Sequence, residues 1–340
     1  MYDPSGLYVD PILTNLSIGY PEQTFYGLSF LPETPVRTQS GQYRVFGREH
    51  WLLTEDRREP GTVAHEVRGA KWSQDVFSTK EHSLQSPVHD EERQELTSQG
   101  GLAQATFGGD LQLDPERDAL DLVNRDISLN HEKKAADLIR NPANYGSGNK
   151  VTLAGSQQWN DYTMVTAGIP TTIVSDPVAA IMTGMRAVYA ATGRWPNTLA
   201  IPTMGMGYIE NHPRITARFS NFALTMDGAF QALTGFTGKI VPVDSLYNAA
   251  NNLDATATMT SFWGKDVWLG IVDPTPGQRT FTFGKTFAQV YPVGITRPVE
   301  RWREEARKSD LVRSNWKYDL KIVTASAGYL ITNAFAASAF

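Results

Sequence analysis

Six histidines, two acidic clusters and a few glycine pairs are the residues whose types could do chemistry in this chain. His50, His65, His82, His89, His131 and His212 contain no pair at the i, i+4 spacing that turns two imidazoles toward one zinc ion. Asp90-Glu91-Glu92 and Glu304-Glu305 could supply the acid and base of glycoside hydrolysis, which needs two carboxyls facing a cleft with separated pKa values. Their neighbours are Arg93, Arg301, Arg303 and Arg307, so ion pairs, solvated or between subunits, are the better reading. Gly205-Met206-Gly207 opens like a dinucleotide fingerprint, but position 210 is Glu and Pro202 closes the preceding strand; a helix-opening loop is expected. Gly146-Ser147-Gly148-Asn149-Lys150 lacks the phosphate-loop spacing and the hydroxyl after lysine, and reads as a flexible link. There is no Gly-x-Ser-x-Gly elbow and no cysteine, which removes thiolate nucleophiles, disulfides and cysteine-rich zinc sites. The chain is read as a non-enzyme, with no catalytic residue, no cofactor site and no metal site.

The elements that would position any such residues are more telling. Asp114-Pro115-Glu116 is an N-cap followed by proline at the first helical position. Leu120, Val123, Ile127, Ala135, Leu138 and Ile139 then recur at helical spacing until Asn141-Pro142-Ala143-Asn144-Tyr145 stops the helix. Such a helix reaches on the order of 40 Å. His131 lies on its apolar stripe, four residues after Ile127 and four before Ala135, and is expected to be a packed, hydrogen-bonded histidine.

Residues 1–35 carry Pro11, Pro21, Pro32 and Pro35 and read as an extended arm that must lie on something else. From Arg37 to Glu95 there are nine Lys or Arg and eleven Asp or Glu in 59 residues, about a third against 20% overall. Strand signals persist there, at Tyr43 to Phe46 and Trp72 to Leu84, around the break Arg57-Arg58-Glu59-Pro60-Gly61. A charged two-stranded excursion has too little apolar face to stand alone, so it is either disordered or supported by a neighbouring subunit, and the persisting strand signals favour the second. A short acidic helix, His89 to Leu96, precedes the long one. Beyond Tyr145 the texture is that of a compact α/β unit. A helix is capped by Asp176-Pro177 and ended by Gly193, and a strand is expected at Asn197 to Ile201. Further helices follow at Thr203 to Asn211 and Met226 to Thr234, and further strands at Lys239 to Val243 and Val267 to Val272. From Asn315 to Val323, Trp316, Tyr318, Leu320 and Ile322 alternate with Lys317, Asp319 and Lys321, a strand with one wet face, which Ser326 to Asn333 would pair.

A net charge of −5 gives no basic footprint for reading nucleic-acid sequence, and the aromatics are not interleaved with a basic track. No run of about 18 apolar residues occurs, so no membrane-spanning helix is expected. Met1-Tyr2-Asp3-Pro4 lacks the basic start of a signal peptide. With an arm and a hairpin that make sense only against other subunits, the chain points to assembly.

The order of these pieces resembles the major capsid proteins of tailed bacteriophages, with the Hong Kong 97-type (HK97-like) shell fold. The likeness is sharpest in Asn141 to Tyr145, Trp159-Asn160-Asp161, Ser175-Asp176-Pro177, Gly193-Arg194-Trp195-Pro196-Asn197-Thr198-Leu199 and His212-Pro213-Arg214-Ile215. It implies an α+β fold: an N-terminal arm (1–35), an extended loop (36–88) and a peripheral domain with a spine helix (89–165). An axial α/β domain (166–275) and peripheral return strands (276–340) would follow. It also implies hexamers and pentamers of an icosahedral head around double-stranded DNA, held non-specifically. Trp51, Trp72 and Phe77 would be apolar anchors between subunits. Partners implied are further copies of the chain, a separate scaffolding protein, a portal and a decoration protein, with no membrane; the place is the virion, after synthesis in the host cytoplasm. Lys71 and Lys80 are candidate isopeptide donors, for which surface lysines are the simpler reading. The alternatives are an encapsulin-like compartment, which shares the fold, and a carbohydrate-active hydrolase using the acidic clusters.

Overall fold

The computed structural model describes residues 25–45, 73–91, 115–162, 164–165, 172–219, 235–248, 259–277, 280–291 and 294–336, with a few single positions between them. In chain order the strands and α-helices begin with α1 (Gly27–Phe30), β1 (Glu33–Val36), β2 (Ser40–Val45), β3 (Ser73–Ser78), β4 (Lys80–His89) and α2 (Pro115–Arg140). Then come β5 (Lys150–Thr152), β6 (Met164–Val165), β7 (Thr172–Ile173), α3 (Pro177–Thr192), β8 (Thr198–Pro202), α4 (Thr203–Glu210) and α5 (Pro213–Phe219). The last are β9 (Lys239–Val243), β10 (Leu246–Asn248), β11 (Met259–Ser261), β12 (Val267–Gly270), β13 (Gly284–Gln289), β14 (Val299–Glu304), β15 (Ser309–Ile322) and β16 (Gly328–Thr332).

The long helix α2 has 26 residues, with Pro115 at its start, Glu116 and Asp118 in the first turn and Arg140 in the last, charges that suit the helix dipole. Its buried side chains, Leu120, Val123, Ile127, His131, Ala135 and Ile139, form the expected stripe. That stripe lies along a five-stranded sheet built around β15. β4 pairs with β15 from Ser309 to Tyr318 on one side; on the other, β14 pairs with Ser309 to Ser314 and β13 with Tyr318 to Ile322. Val123 and Ile127 pack on Trp316 and Tyr318, and Leu120 on Val299 and Val312. A second five-stranded sheet, in the order β5-β16-β12-β8-β9, carries α3 against it and forms the main core.

Several expectations need correction. Ser326 to Asn333 does not pair with the strand at Asn315 to Val323: β16 joins the second sheet, antiparallel to β12 and parallel to β5. Tyr329, Leu330 and Ile331 are all buried there, as a strand covered on both faces requires. The strand expected from Trp72 to Leu84 breaks at Thr79, whose N–H and hydroxyl both donate to the Gln39 carbonyl. Only β3 pairs with β2; β4 belongs to the body of the fold. His89 ends that strand rather than opening a helix, because it pairs with Ser309; Asp90 and Glu91 are helical, and 92–96 lie outside the described residues. Of the arm, residues 25–36 are core rather than an extension onto a neighbour: Phe30 and Leu31 are fully buried and β1 pairs in parallel with β13. The Gly146–Lys150 link is an ordered turn, in which the buried Asn149 amide donates to the carbonyls of Ser326 and Gly328. Of the helix expected at Met226 to Thr234, only positions 228, 231 and 234 are described, each helical.

Candidate assembly surfaces and the junction behind them

The two sheets meet at the C-terminal half of α2. Glu132, fully buried, accepts from the Gly27 N–H at 2.5 Å, the Trp263 indole N–H at 2.7 Å and the Ser245 hydroxyl at 3.1 Å. One carboxyl thereby ties the N-terminal segment, the long helix and two connections of the second sheet. Burial raises its pKa, against the lowering effect of these donors. A Cβ on Gly27 would fall 2.9 Å from the Glu132 carboxylate and 3.1 Å from His131 Nδ1, so glycine is what lets the two backbones approach. His131 is indeed packed and hydrogen-bonded. Its Nε2 lies 3.3 Å from the Thr286 hydroxyl, which itself donates to the Leu31 carbonyl, so Nε2 is the donating nitrogen. The ring sits 4.7 Å from Trp316 and 5.1 Å from Tyr318.

Asn141 to Tyr145 ends the helix by capping it from outside. Asn141 accepts from the Ala143 N–H, opening a 3-10 turn. The Asn144 amide donates to the Leu138 carbonyl at 2.7 Å and the Tyr145 hydroxyl to the Ile139 carbonyl at 2.6 Å, satisfying carbonyls the last helical turn leaves open. Arg140 reaches across to Asp266 and the Phe262 carbonyl. Two further segments of the likeness lock together: His212 lies 3.2 Å from the Ser175 hydroxyl, and Arg214 pairs with Asp176, which also caps α3 through the Ala179 N–H.

Of the acidic clusters, Asp90, Glu304 and Glu305 are taken up in ion pairs. Asp90 pairs with Arg303 at 2.5 Å, Arg303 also reaches Asp310 and Glu305, and Arg301 joins Glu116 at 2.8 Å to Asp310 at 2.9 Å. Glu304 pairs with Arg307. These pairs lie within one chain and are partly exposed, which is the solvated alternative for Arg301, Arg303 and Arg307; Glu92 and Arg93 lie outside the described residues. Phe77 is likewise no anchor for a neighbour: it is buried and stacks on Phe287 at 4.5 Å. Trp51, Trp72, Lys71, His50 and His65 lie outside the described residues, and Lys80 is exposed at the start of β4. His82 is half-buried against Tyr318 and Lys134. Gly205 is inside α4, its missing Cβ leaving room for Phe335. Among the described residues no group of three or more His, Cys, Asp or Glu could hold a metal ion. No described helix is long and apolar enough to cross a membrane. Glu132 was not singled out from the sequence; its only signal is a carboxylate standing beside His131 on an otherwise apolar face.

No protein-family model matches the chain. It is 28% identical to the major capsid protein of Burkholderia phage BcepMu over 95% of this chain and 96% of that one. A crystal structure of a phage-related protein from Bordetella bronchiseptica RB50 superposes with a TM-score of 0.71 at 26% identity, over 96% of this chain and 98% of the other. The capsid structure of cyanophage P-SCSP1u gives 0.52 at 12% identity, over 92% and 89%. The holo-SrpI encapsulin complex from Synechococcus elongatus PCC 7942 gives 0.50 at 10% identity, over 96% of each chain. The last two speak for the fold alone. The curated relatives, at 28% and 22% identity, are named major capsid proteins of phages. The chain has the Hong Kong 97-type shell fold and is a relative of phage major capsid proteins.

Proposed function

We propose that this chain forms the hexamers and pentamers of an icosahedral phage head that encloses double-stranded DNA. The observation that carries this reading is the sequence likeness to a phage major capsid protein along nearly the whole chain, on a matching fold. In this reading residues 1–24 continue the arm, the β2–β3 hairpin is the base of the extended loop, the β15 sheet with α2 is the peripheral domain, and the second sheet is the axial domain. A separate scaffolding protein and a portal are the partners proposed for such a head, with a decoration protein as an optional addition. A net charge of −5 leaves contact with packaged DNA weak and without sequence preference.

The encapsulin-like alternative is favoured by one observation, the fold match over 96% of the chain, but at 10% identity. The two readings part on contents: particles carrying genome-length DNA fit a head, and particles carrying a cargo protein fit a compartment. The carbohydrate-active hydrolase has no support, since Asp90, Glu304 and Glu305 are committed to ion pairs.

The test is a deletion of residues 46–72, replaced by a short Gly-Ser linker, which keeps Tyr43 and Phe77 in their cluster with Phe287. The expected result is a folded, soluble chain that forms no shells by negative-stain microscopy, where the full chain forms them. Normal shells from the deleted chain would refute the role given to the loop.

A further inference from the structure

Two apolar surfaces stand at opposite ends of the second sheet, and the strand register says which end each occupies. β8 and β9 run parallel, from Thr198 beside Lys239 to Pro202 beside Val243, so both start at one end and finish at the other. At the starting end α3 stops at the left-handed Gly193, and Trp195 folds back to stack on Tyr189 at 4.5 Å. These rings are 53% and 45% exposed. Trp195 walls a recess of about 390 Å³ lined also by Met182, Met185, Arg186, Pro196 and Thr237.

At the finishing end the β10–β11 hairpin leaves the sheet after Val243. Leu246 opposes Ser261 and Met259 opposes Asn248, which puts Leu246 and Met259 on one hairpin face. They are 48% and 57% exposed, while Tyr247, on the other face, packs on Phe262. Met204, in the first turn of α4, follows Pro202 at this same end and is 60% exposed. One end is thus concave with an aromatic wall, and at the other the described strands β10 and β11 present exposed Leu246 and Met259 on one face. Single exposed apolar residues are ordinary. An aromatic-walled recess at one end and a paired exposed apolar face at the other are not, and Trp, Tyr, Met and Arg are the types enriched in interface cores.

A contact between two different ends of the same body is heterologous, and such contacts build rings where the rotation closes. We propose that a second copy of this chain covers the recess, the Leu246–Met259 hairpin face of one copy seating against the Trp195 recess of the next, head to tail. This rests on the shell reading above and adds to it the residues of the ring contact.

Because the chain has no cysteine, introduced thiols report the contact without background. Thr237→Cys and Met259→Cys combined in one chain, assembled, oxidised and run on a non-reducing denaturing gel, should give a ladder of three or more linked copies, and each single variant none beyond dimers. Particles from the double variant without a ladder would overturn the contact. Trp195→Ala, its fold checked by circular dichroism, should need at least tenfold more protein to assemble; unchanged assembly counts against the proposal. If the unaltered chain makes no particles at all, the shell reading itself falls, an outcome distinct from particles without a ladder.

Discussion

The two ends of α2 are held by different physics. At the N-terminal end Glu116, Arg301, Asp310, Arg303 and Asp90 form a chain of ion pairs in which both arginine side chains are about a third exposed. At the C-terminal half, Glu132, His131 and Tyr145 are buried and bonded mostly to neutral partners, with Phe30, Trp263 and Trp268 packed around the N-terminal segment they grip. Exposed pairs are weak and screened by salt, whereas a buried donor left without its acceptor costs its full desolvation. The polar contacts that seat the helix are therefore strong where the two sheets meet and weak at its far end, where Leu120, Val123 and Ile127 hold it by apolar packing instead.

The sharpest way to break that contrast is Glu132→Ala. Ser245 can turn its hydroxyl elsewhere, but the Gly27 N–H and the Trp263 indole N–H cannot, and both would be orphaned. A loss of about 3 kcal/mol is expected in urea denaturation, two orphaned donors at about 1–2 kcal/mol each. Glu132→Gln should lie between, since its amide would aim a donor at one of the same donors. A loss below about 1 kcal/mol for the alanine variant would mean that the junction does not depend on this carboxyl.

Acid distinguishes the ends next. Burial, then the cations Arg297 and Lys134, hold the His131 pKa down to about 3; burial, then Lys134 and Lys80, hold His82 at about 4. The groups facing His131 are Thr286, Trp316, Tyr318, Arg297, Lys134 and His82, and the Glu132 carboxylate comes close as well, since it and His131 Nδ1 converge on Gly27. The unfolded chain takes up a proton on each histidine near pH 6.5, and the folded chain does so only near 3 to 4. Stability is thus complete above pH 6.5 and falls as the pH drops toward 4, by at most about 1.4 kcal/mol per pH unit for His131. Glu132, with its pKa raised, works in the opposite sense and offsets part of the loss. His131→Gln should be less stable at pH 7 yet show a flatter acid limb between pH 6 and 4.5. An identical limb would show that His131 does not stay neutral in the fold.

Much of this helix was legible in the sequence because its signals are local. Pro115 and Pro142 mark its ends, and the stripe from Leu120 to Ile139 marks its buried face; Asp176-Pro177 and Gly193 do the same for α3. Pairing across the chain was not legible. Tyr329, Leu330 and Ile331 announce a strand but cannot say which sheet takes it, and nothing local at Thr79 says that β3 and β4 join different partners. The segment Asn141 to Tyr145 stood out, but its use as a cap depends on where Asn144 and Tyr145 reach in space. Glu132 reads as an exposed charge until the donors of three distant segments are brought to it. The stacking of Tyr189 on Trp195 depends on the turn at Gly193, which no periodicity encodes.

The smallest effect belongs to the far end. Arg301→Ala removes the link between Glu116 in the first turn of α2 and Asp310 on β15. Arg303 still reaches Asp310, so that carboxylate, nearly buried, keeps a partner. The expected loss is about 0.5–1 kcal/mol in dilute buffer. It should shrink toward zero in 1 M salt, where the screening length is about 3 Å. The Glu132→Ala deficit, set by buried hydrogen bonds, should stay nearly constant over the same range. Denaturation of both variants at low and high salt checks the contrast directly: equal salt dependence would mean that the two ends are held alike. A loss above about 2 kcal/mol for Arg301→Ala would place the firm attachment at the wrong end of the helix.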